Sequence, residues 1–271
     1  MAPTHGGNQV RAWRPALPGV TEVFHARFTD HCYPMHCHDT WTVLIVDDGA
    51  IRYDLERHEH AAAGPTVTVL PPFVPHDGRS ARHDTGFTKR VLYLDLDTIG
   101  EDLVGAAADR PLVEDRALRS SIAGLHCALT GDDDDLERES RLALVVERVH
   151  RRLTRDAAGP RPPSGDAATA LRDHLDAHAF ERLTLKDTAA ALGWNETHLI
   201  RSFTAAFGIA PHRYLLSRRI DEARRRLLAG EPASQVAVGV GFFDQAHLHR
   251  HFTAHLAITP GRYQRSGRAG A

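Results

Sequence analysis

The chain has 271 residues, enough for two domains with separate cores, and its 42% hydrophobic and 25% charged residues are ordinary for a globular protein. No stretch approaches ~18 apolar residues, so a membrane-spanning chain is excluded. The net charge of −2 is unevenly placed: residues 166–271 carry 14 Lys and Arg against 10 Asp and Glu, and residues 1–165 carry 19 against 25. A basic half beside an acidic half fits nucleic-acid binding by the second half alone. The opening residues hold no apolar run, and Cys32, Cys37 and Cys127 make an odd count, so the expectation is a reduced, cytoplasmic protein without a secretory leader.

Residues 20–98 alternate apolar and polar in short runs, among them Trp41–Val46, Ile51–Leu55, Val67–Leu70 and Val91–Leu96. Asp48-Gly49, Gly64-Pro65 and Asp77-Gly78 punctuate them. Short strands with such breaks predict a β-sandwich or barrel. Within this region His31–His38 reads HCYPMHCH. His36 and His38 fall on one face of a strand, and His76 follows in PPFVPHDG. Three neutral imidazoles form a plausible set for a divalent metal, and the same residues serve equally as polar lining of a small-molecule pocket. Tyr33, Trp41, Arg52, Tyr53 and Arg90 are further pocket candidates. Cys32 and Cys37 have no neighbouring Lys to stabilise a thiolate, so inert thiols are favoured over a redox switch.

Residues 112–129 and 136–155 read as helices. Leu142, Val145, Val146, Val149 and Leu153 form one stripe at spacings of three and four, either core or a homodimer seam. The acidic loop Gly131–Asp135 separates the two helices, and Cys127 is expected in the core. Ala157–Asp166, with three prolines and two glycines, reads as a semi-rigid linker.

The remaining residues contain one segment twice. Asn195–Tyr214 and Asp244–Tyr263, 49 positions apart, are identical at ten of twenty residues. Each copy predicts a short helix, a turn at Gly193 or Gly241, an N-cap at Asn195 or Asp244, and a second helix. In those second helices Leu199, Phe203 and Phe207, and Leu248, Phe252 and Leu256, form the inward stripe. Thr197, Ile200 and Arg201, and Gln245, Ala246, His249 and Arg250, are left facing out. Arg suits guanine, Gln suits adenine, and Ala or Ile suits a thymine methyl. Pro211–Ala229 is a connecting helix whose Arg218, Arg219 and Arg224–Arg226 are placed to reach phosphates. A duplicated unit on a rod predicts a periodic partner, namely double-stranded DNA.

The run ALGWNETHLIRSF…GFFDQAHLHRHF…ITPGRY, about residues 170–264, resembles the AraC/XylS-type DNA-binding domain, whose two helix-turn-helix units share a long helix. The resemblance implies that Thr197, Ile200, Arg201, Gln245, Ala246, His249 and Arg250 read bases. Ala257, standing where the first copy has Gly208, departs from the repeat. HCHDTW and GPTVTVLPPFVPHDGR resemble the short motifs of cupin barrels in AraC-type ligand-binding domains, although no carboxylate follows His38 within Trp41–Val46.

The resulting expectation is an α+β chain of two domains. A cupin-like effector barrel spans 1–112, a helical pair 113–156, the linker 157–166, and a double helix-turn-helix reader 167–271. The predicted function is a homodimeric, non-enzymatic transcriptional regulator. It binds promoter DNA and a small-molecule effector, contacts RNA polymerase, needs no cofactor and touches no membrane. His36, His38, Trp41, Tyr53 and His76 line the predicted effector pocket. The alternative is a metal-dependent cupin enzyme or metal sensor, using His36, His38 and His76, fused to a DNA-binding module.

Overall fold

The computed structural model describes residues 8–56, 58–81, 86–131, 135–155 and 166–268. The predicted linker, apart from Asp166, and residues 132–134 of the acidic loop lie outside the described residues.

Among the described residues the first domain has nine strands: β1 (Gln9–Trp13), β2 (Val20–Phe28), β3 (Tyr33–His36), β4 (Trp41–Leu55), β5 (His58–Ala63), β6 (Thr66–Leu70), β7 (His76–Ser80), β8 (Phe87–Leu94) and β9 (Leu112–Glu114). They run in the order β1-β2-β8-β4-β6-β9, with β5 and β7 on the far half of β4 and β3 on β7. The sheet is strongly folded but does not close into a hydrogen-bonded ring, so the expected barrel is open. Trp41–Val46 and Ile51–Leu55, read from sequence as two strands, are one. β4 pairs with β6 and β8 along its first half and with β5 and β7 along its second. The change of partner falls at Gly49, where φ is +74° and a Cβ would collide with the carbonyl oxygen of Gly86. Only glycine suits that crossing.

The period-2 alternation of β4 splits its side chains between two cores. Trp41, Val43 and Ile45 join Val67, Val69, Leu92 and Leu94 beneath the helices α1 (Leu96–Ile99), α2 (Val104–Asp109), α3 (Arg116–Ala128) and α4 (Asp135–Arg155). Leu142, Val145, Val149 and Leu153 of α4 are buried in that same cluster with Leu118, Ile122 and Leu125 of α3. The stripe is therefore intramolecular core, and it no longer argues for a dimer seam. Cys127 is exposed rather than core, while its neighbour His126 is buried.

The second domain comprises α5 (Asp166–Ala177), α6 (Leu185–Leu192), α7 (Glu196–Phe207), α8 (Pro211–Leu228), α9 (Ala233–Gly239), α10 (Gln245–Leu256) and α11 (Pro260–Arg268). Thr184 caps α6, Asn195 caps α7 and Asp244 caps α10, each side chain accepting from an orphan backbone N–H. Leu199 and Phe203, and Leu248, Phe252 and Leu256, are buried as the repeat required. The repeated tyrosines close both copies alike. Tyr214 meets Phe203 edge-on at 5.4 Å, and Tyr263 meets Phe252 at 5.1 Å.

The two domains share a core. Ile220, Ala223 and Leu227 of α8 and Phe252 of α10 pack in one cluster with Phe24, Leu44, Tyr53 and Tyr93 of the sheet. Cys37 is buried with the first repeat, among Leu199, Phe203 and Tyr214.

Candidate DNA-reading surface and a histidine cavity between domains

The caps and core residues fix how α7 and α10 present their outer faces. Thr197, Ile200 and Arg201 on α7, and Gln245, Ala246, His249 and Arg250 on α10, are all exposed. They sit in the first turns after the caps, where a recognition helix meets base edges. Joining the units, α8 has 18 residues and so spans about 27 Å. Ala257 ends α10 in the left-handed region at φ +55°, matching Gly208 after α7 at +69°. The repeat thus keeps its backbone geometry where it lost the glycine.

The arginines of α8 are placed differently from expectation. Arg218 pairs with Asp39 at 2.9 Å and Asp176 at 3.1 Å, and Arg219 donates to the carbonyls of Ala179 and Glu181. Arg224 is buried against Glu22 at 2.8 Å and Asp221 at 3.2 Å. Arg225 binds Asp39 and Glu222, and Arg226 binds Glu222. A helix face rich in arginine reads as solvated in sequence. In the fold Arg218, Arg224 and Arg225 meet carboxylates of the acidic first domain, while Arg219 and Arg226 are engaged within the second, so in this arrangement all five have protein partners in place of phosphate.

A cavity of about 50 Å³ lies between α8, α10 and the sheet. His36, His38, Tyr53 and His76 line it, as the sequence suggested, together with Tyr33. Trp41 does not, because the strand's alternation turns it into the opposite core. Arg52 is exposed beside Glu59, and Arg90 pairs with Asp47 at 2.7 Å, both away from the cavity. Lining residues that sequence reasoning missed are Lys89, Tyr93, Asp221, Arg224 and His255. One signal for Lys89 was available: it is one of only two lysines among 33 basic residues, and it shares strand parity with Tyr93. The other three came from the second domain and needed the tertiary contact.

The electrostatics follow from burial. Desolvation holds His36 well below the usual imidazole range, with His76 and His38 adding like-charge repulsion, and pushes His76 down to about 3. Both are neutral at pH 7. Lys89 rests over the Tyr33 ring at 4.2 Å, and burial, then the nearby Arg224, pushes its ammonium down to about 7. Burial raises the Cys37 thiol far above its ordinary value, which makes it inert. Tyr33 Oη and Asp221 Oδ2 are buried with no hydrogen-bond partner among the described residues. Such orphaned polar atoms, in a recess that also holds Lys89, Asp221 and Arg224, suit a bound ligand or water.

These features define a two-domain protein: a ligand-binding sheet domain on a helix-turn-helix reader. Residues 18–146 match the sequence profile of the AraC-like ligand binding domain, and residues 188–266 match that of a helix-turn-helix domain. The chain belongs to the AraC-type transcriptional regulators and is a DNA-binding regulator with a ligand-binding domain. It is 25% identical over 226 residues to the uncharacterized HTH-type transcriptional regulator YbfI of Bacillus subtilis, covering 79% of this chain and 80% of that one. Its fold is similar to that of ToxT from Vibrio cholerae O395, with a TM-score of 0.59, 13% identity and 96% and 98% of the two chains covered. The unsaturated fatty acid bound form of ToxT from strain SCE256 gives a TM-score of 0.58 at 13% identity, covering 100% and 99%. Among the described residues no helix is long and apolar enough to cross a membrane.

Proposed function

We propose that this chain reads two successive major-groove segments through α7 and α10 and senses a small ligand in the histidine cavity. Thr197, Ile200 and Arg201 read one segment, and Gln245, Ala246, His249 and Arg250 the other. The supporting observation is that the cavity is lined from both sides: His36, His38 and His76 come from the sensor, and Asp221, Arg224 and His255 from the reader. A ligand there bears directly on α8, the rod that sets the two reading helices apart. A coupling of ~1–3 kcal/mol between such sites suffices for a useful switch.

The volume limits the ligand. Drug-sized ligands fill roughly 300–1,000 Å³, against about 50 Å³ here. The closed arrangement therefore takes an ion or a molecule of a few atoms. A long-chain ligand, such as the fatty acid held by ToxT, would require α8 to separate from the sheet. This size limit keeps the metal-sensor reading in play.

The test is binding of the full chain to DNA fragments from upstream of its own and neighbouring genes, followed by fluorescence anisotropy over a salt series. A salt-dependent affinity that prefers one fragment, and loses that preference when Arg201 and Arg250 are both replaced by Ala, is the expected result. Absence of salt-dependent affinity for every fragment would sink the reading.

A further inference from the structure

The three cavity histidines of the sheet domain are oriented alike. The Nδ1 of His36 lies 2.7 Å from the carbonyl oxygen of Pro34, that of His76 lies 3.0 Å from the carbonyl of Val74, and that of His38 lies 3.0 Å from Oδ1 of Asp221. Carbonyl and carboxylate oxygens accept, so each Nδ1 carries the proton and each Nε2 keeps its lone pair. Among the described residues none of these three Nε2 atoms has a hydrogen-bond partner. One ring nitrogen from each residue lies within 4.8 Å of the other two. Three buried imidazoles gathered at one recess, each with its Nδ1 held by an oxygen, form the outer-shell arrangement that orients metal-bound imidazoles.

We propose that His36, His38 and His76 bind one divalent transition-metal ion through their Nε2 atoms, and that the His38–Asp221 hydrogen bond ties its occupancy to helix α8. The proposal rests on reading this cavity as the sensor site and names its ligand class. Three imidazoles suit Zn²⁺, Co²⁺, Ni²⁺ or Fe²⁺, and a fourth position remains toward the cavity for water or a small anion. A tetrahedral ion at ~2.1 Å from each nitrogen needs nitrogens roughly 3.4 Å apart, a small inward shift of the rings. Two cations also line the cavity. Arg224 is held by Glu22 and Asp221, and Lys89 lies against the ring of Tyr33. A fourth imidazole, His255 of α10, stands with its ring 6.1 Å from that of His36, so the reader also borders the ion.

Coupling follows from the chain of contacts. Metal on Nε2 makes the opposite Nδ1–H a stronger donor. For His38 that donor faces Asp221, a residue of α8 that also accepts from Arg224. Metal therefore tightens the sheet onto the rod, and its loss loosens that contact.

The experiment uses the full chain, dialysed against chelator and titrated with Co²⁺. One equivalent is expected, with the intense visible absorption of a tetrahedral site, displaced by Zn²⁺, and a higher unfolding temperature for the loaded protein. X-ray absorption of the Zn²⁺ form should show three imidazole nitrogens at ~2.0–2.1 Å. His36→Gln and His76→Gln should each weaken binding at least 100-fold with unchanged circular dichroism. The half-buried pair of His174 on α5 and His178 just beyond its end, with rings 4.4 Å apart, is a second chelating candidate. His174→Gln should leave the affinity unchanged, and a loss there would reassign the metal and overturn the proposal. Asp221→Asn should keep one equivalent but weaken binding ~10–100-fold. An unchanged affinity in that variant overturns the link to α8. No stoichiometric metal on the folded wild-type chain overturns the metal site itself. If a small organic ligand then still stabilises the chain, and His76→Gln abolishes that effect, the sensor reading survives without metal. If neither binds, both fall.

Discussion

Arg201 and Arg250 occupy matching positions 49 residues apart, and both side chains are exposed on recognition helices whose inner stripes are buried. If each is bidentate to a guanine, Arg201→Ala or Arg250→Ala weakens specific binding by ~1–3 kcal/mol and relaxes selectivity at one base position. Competition binding against single-base operator variants checks this, and a uniform loss across all sequences would assign them to phosphate instead. Ala257 offers a separate test, on stability. A non-glycine residue in the left-handed region costs roughly 1–2 kcal/mol, and its counterpart Gly208 avoids that cost. Ala257→Gly is therefore expected to raise the unfolding free energy by about 1 kcal/mol, less the entropy glycine adds to the unfolded chain. Chemical denaturation measures it, and no gain would mean the surrounding turn relieves the strain. At this scale the sequence was informative wherever periodicity decides facing. Thr197 and Gln245 were legible because the helical stripe leaves them outside. Trp41 was not, because its strand is buried on both faces and only the sheet's two cores tell those faces apart.

Helices α3 and α4 are joined at Asp115. Its carboxylate caps α3 by accepting from the backbone N–H groups of Ala117 and Leu118, and it accepts from Arg152 of α4 at 3.1 Å. The bond from the Leu118 N–H is the main reason its carboxyl sits below the usual range, with Arg152 contributing against burial. A depressed folded-state pKa stabilises fully above the unfolded value of about 3.9 and is lost as pH falls through the folded one. Asp115→Ala should cost ~0.5–2 kcal/mol at pH 7, and the difference from wild type should shrink below about pH 4. Urea denaturation at pH 7 and at pH 3 gives the comparison; a pH-independent difference would contradict the ionised cap. The caps at Asn195 and Asp244 were readable from sequence because capping is local chemistry. The continuity of β4 was not, since Asp48-Gly49 is as good a turn signal as it is a crossing, and the Gly86 carbonyl that selects between them is remote in sequence.

For the molecule as a whole, the main finding is where the charges meet. The acidic first half and basic second half meet where Glu22 and Asp39 pair with Arg218, Arg224 and Arg225. Removing one partner of a buried pair leaves the other charged and unpaired, which costs about 3–5 kcal/mol. Arg224 keeps Asp221, so Glu22→Leu should destabilise the chain by up to that amount or split its unfolding into two transitions, the sheet domain separating from the reader. A single unshifted transition would mean the contact contributes little. Acid should weaken the sheet domain independently. His25 meets His126 at 3.1 Å, and burial, then Arg90 and Arg11, pushes His25 from 6.5 down to about 4. The unfolded chain takes up that proton first, so stability is full above pH ~6.5 and falls as pH drops toward 4. His25→Phe should flatten the slope of melting temperature against pH in that window. An unchanged slope would place the titration elsewhere.

The sequence by itself determined the α+β class, the two helix-turn-helix units, their caps and inner stripes, and the gathering of His36, His38 and His76. Each of these depends on local periodicity, on turn chemistry or on a repeat that compares the chain with itself. The tertiary structure alone decided that the α4 stripe is core, that Arg218, Arg224 and Arg225 of α8 face carboxylates rather than solvent, and that Asp221, Arg224 and His255 complete the histidine cavity. Those outcomes depend on which remote surface covers a face. A helix carries the same side chains whether water, DNA or a neighbouring domain lies against it.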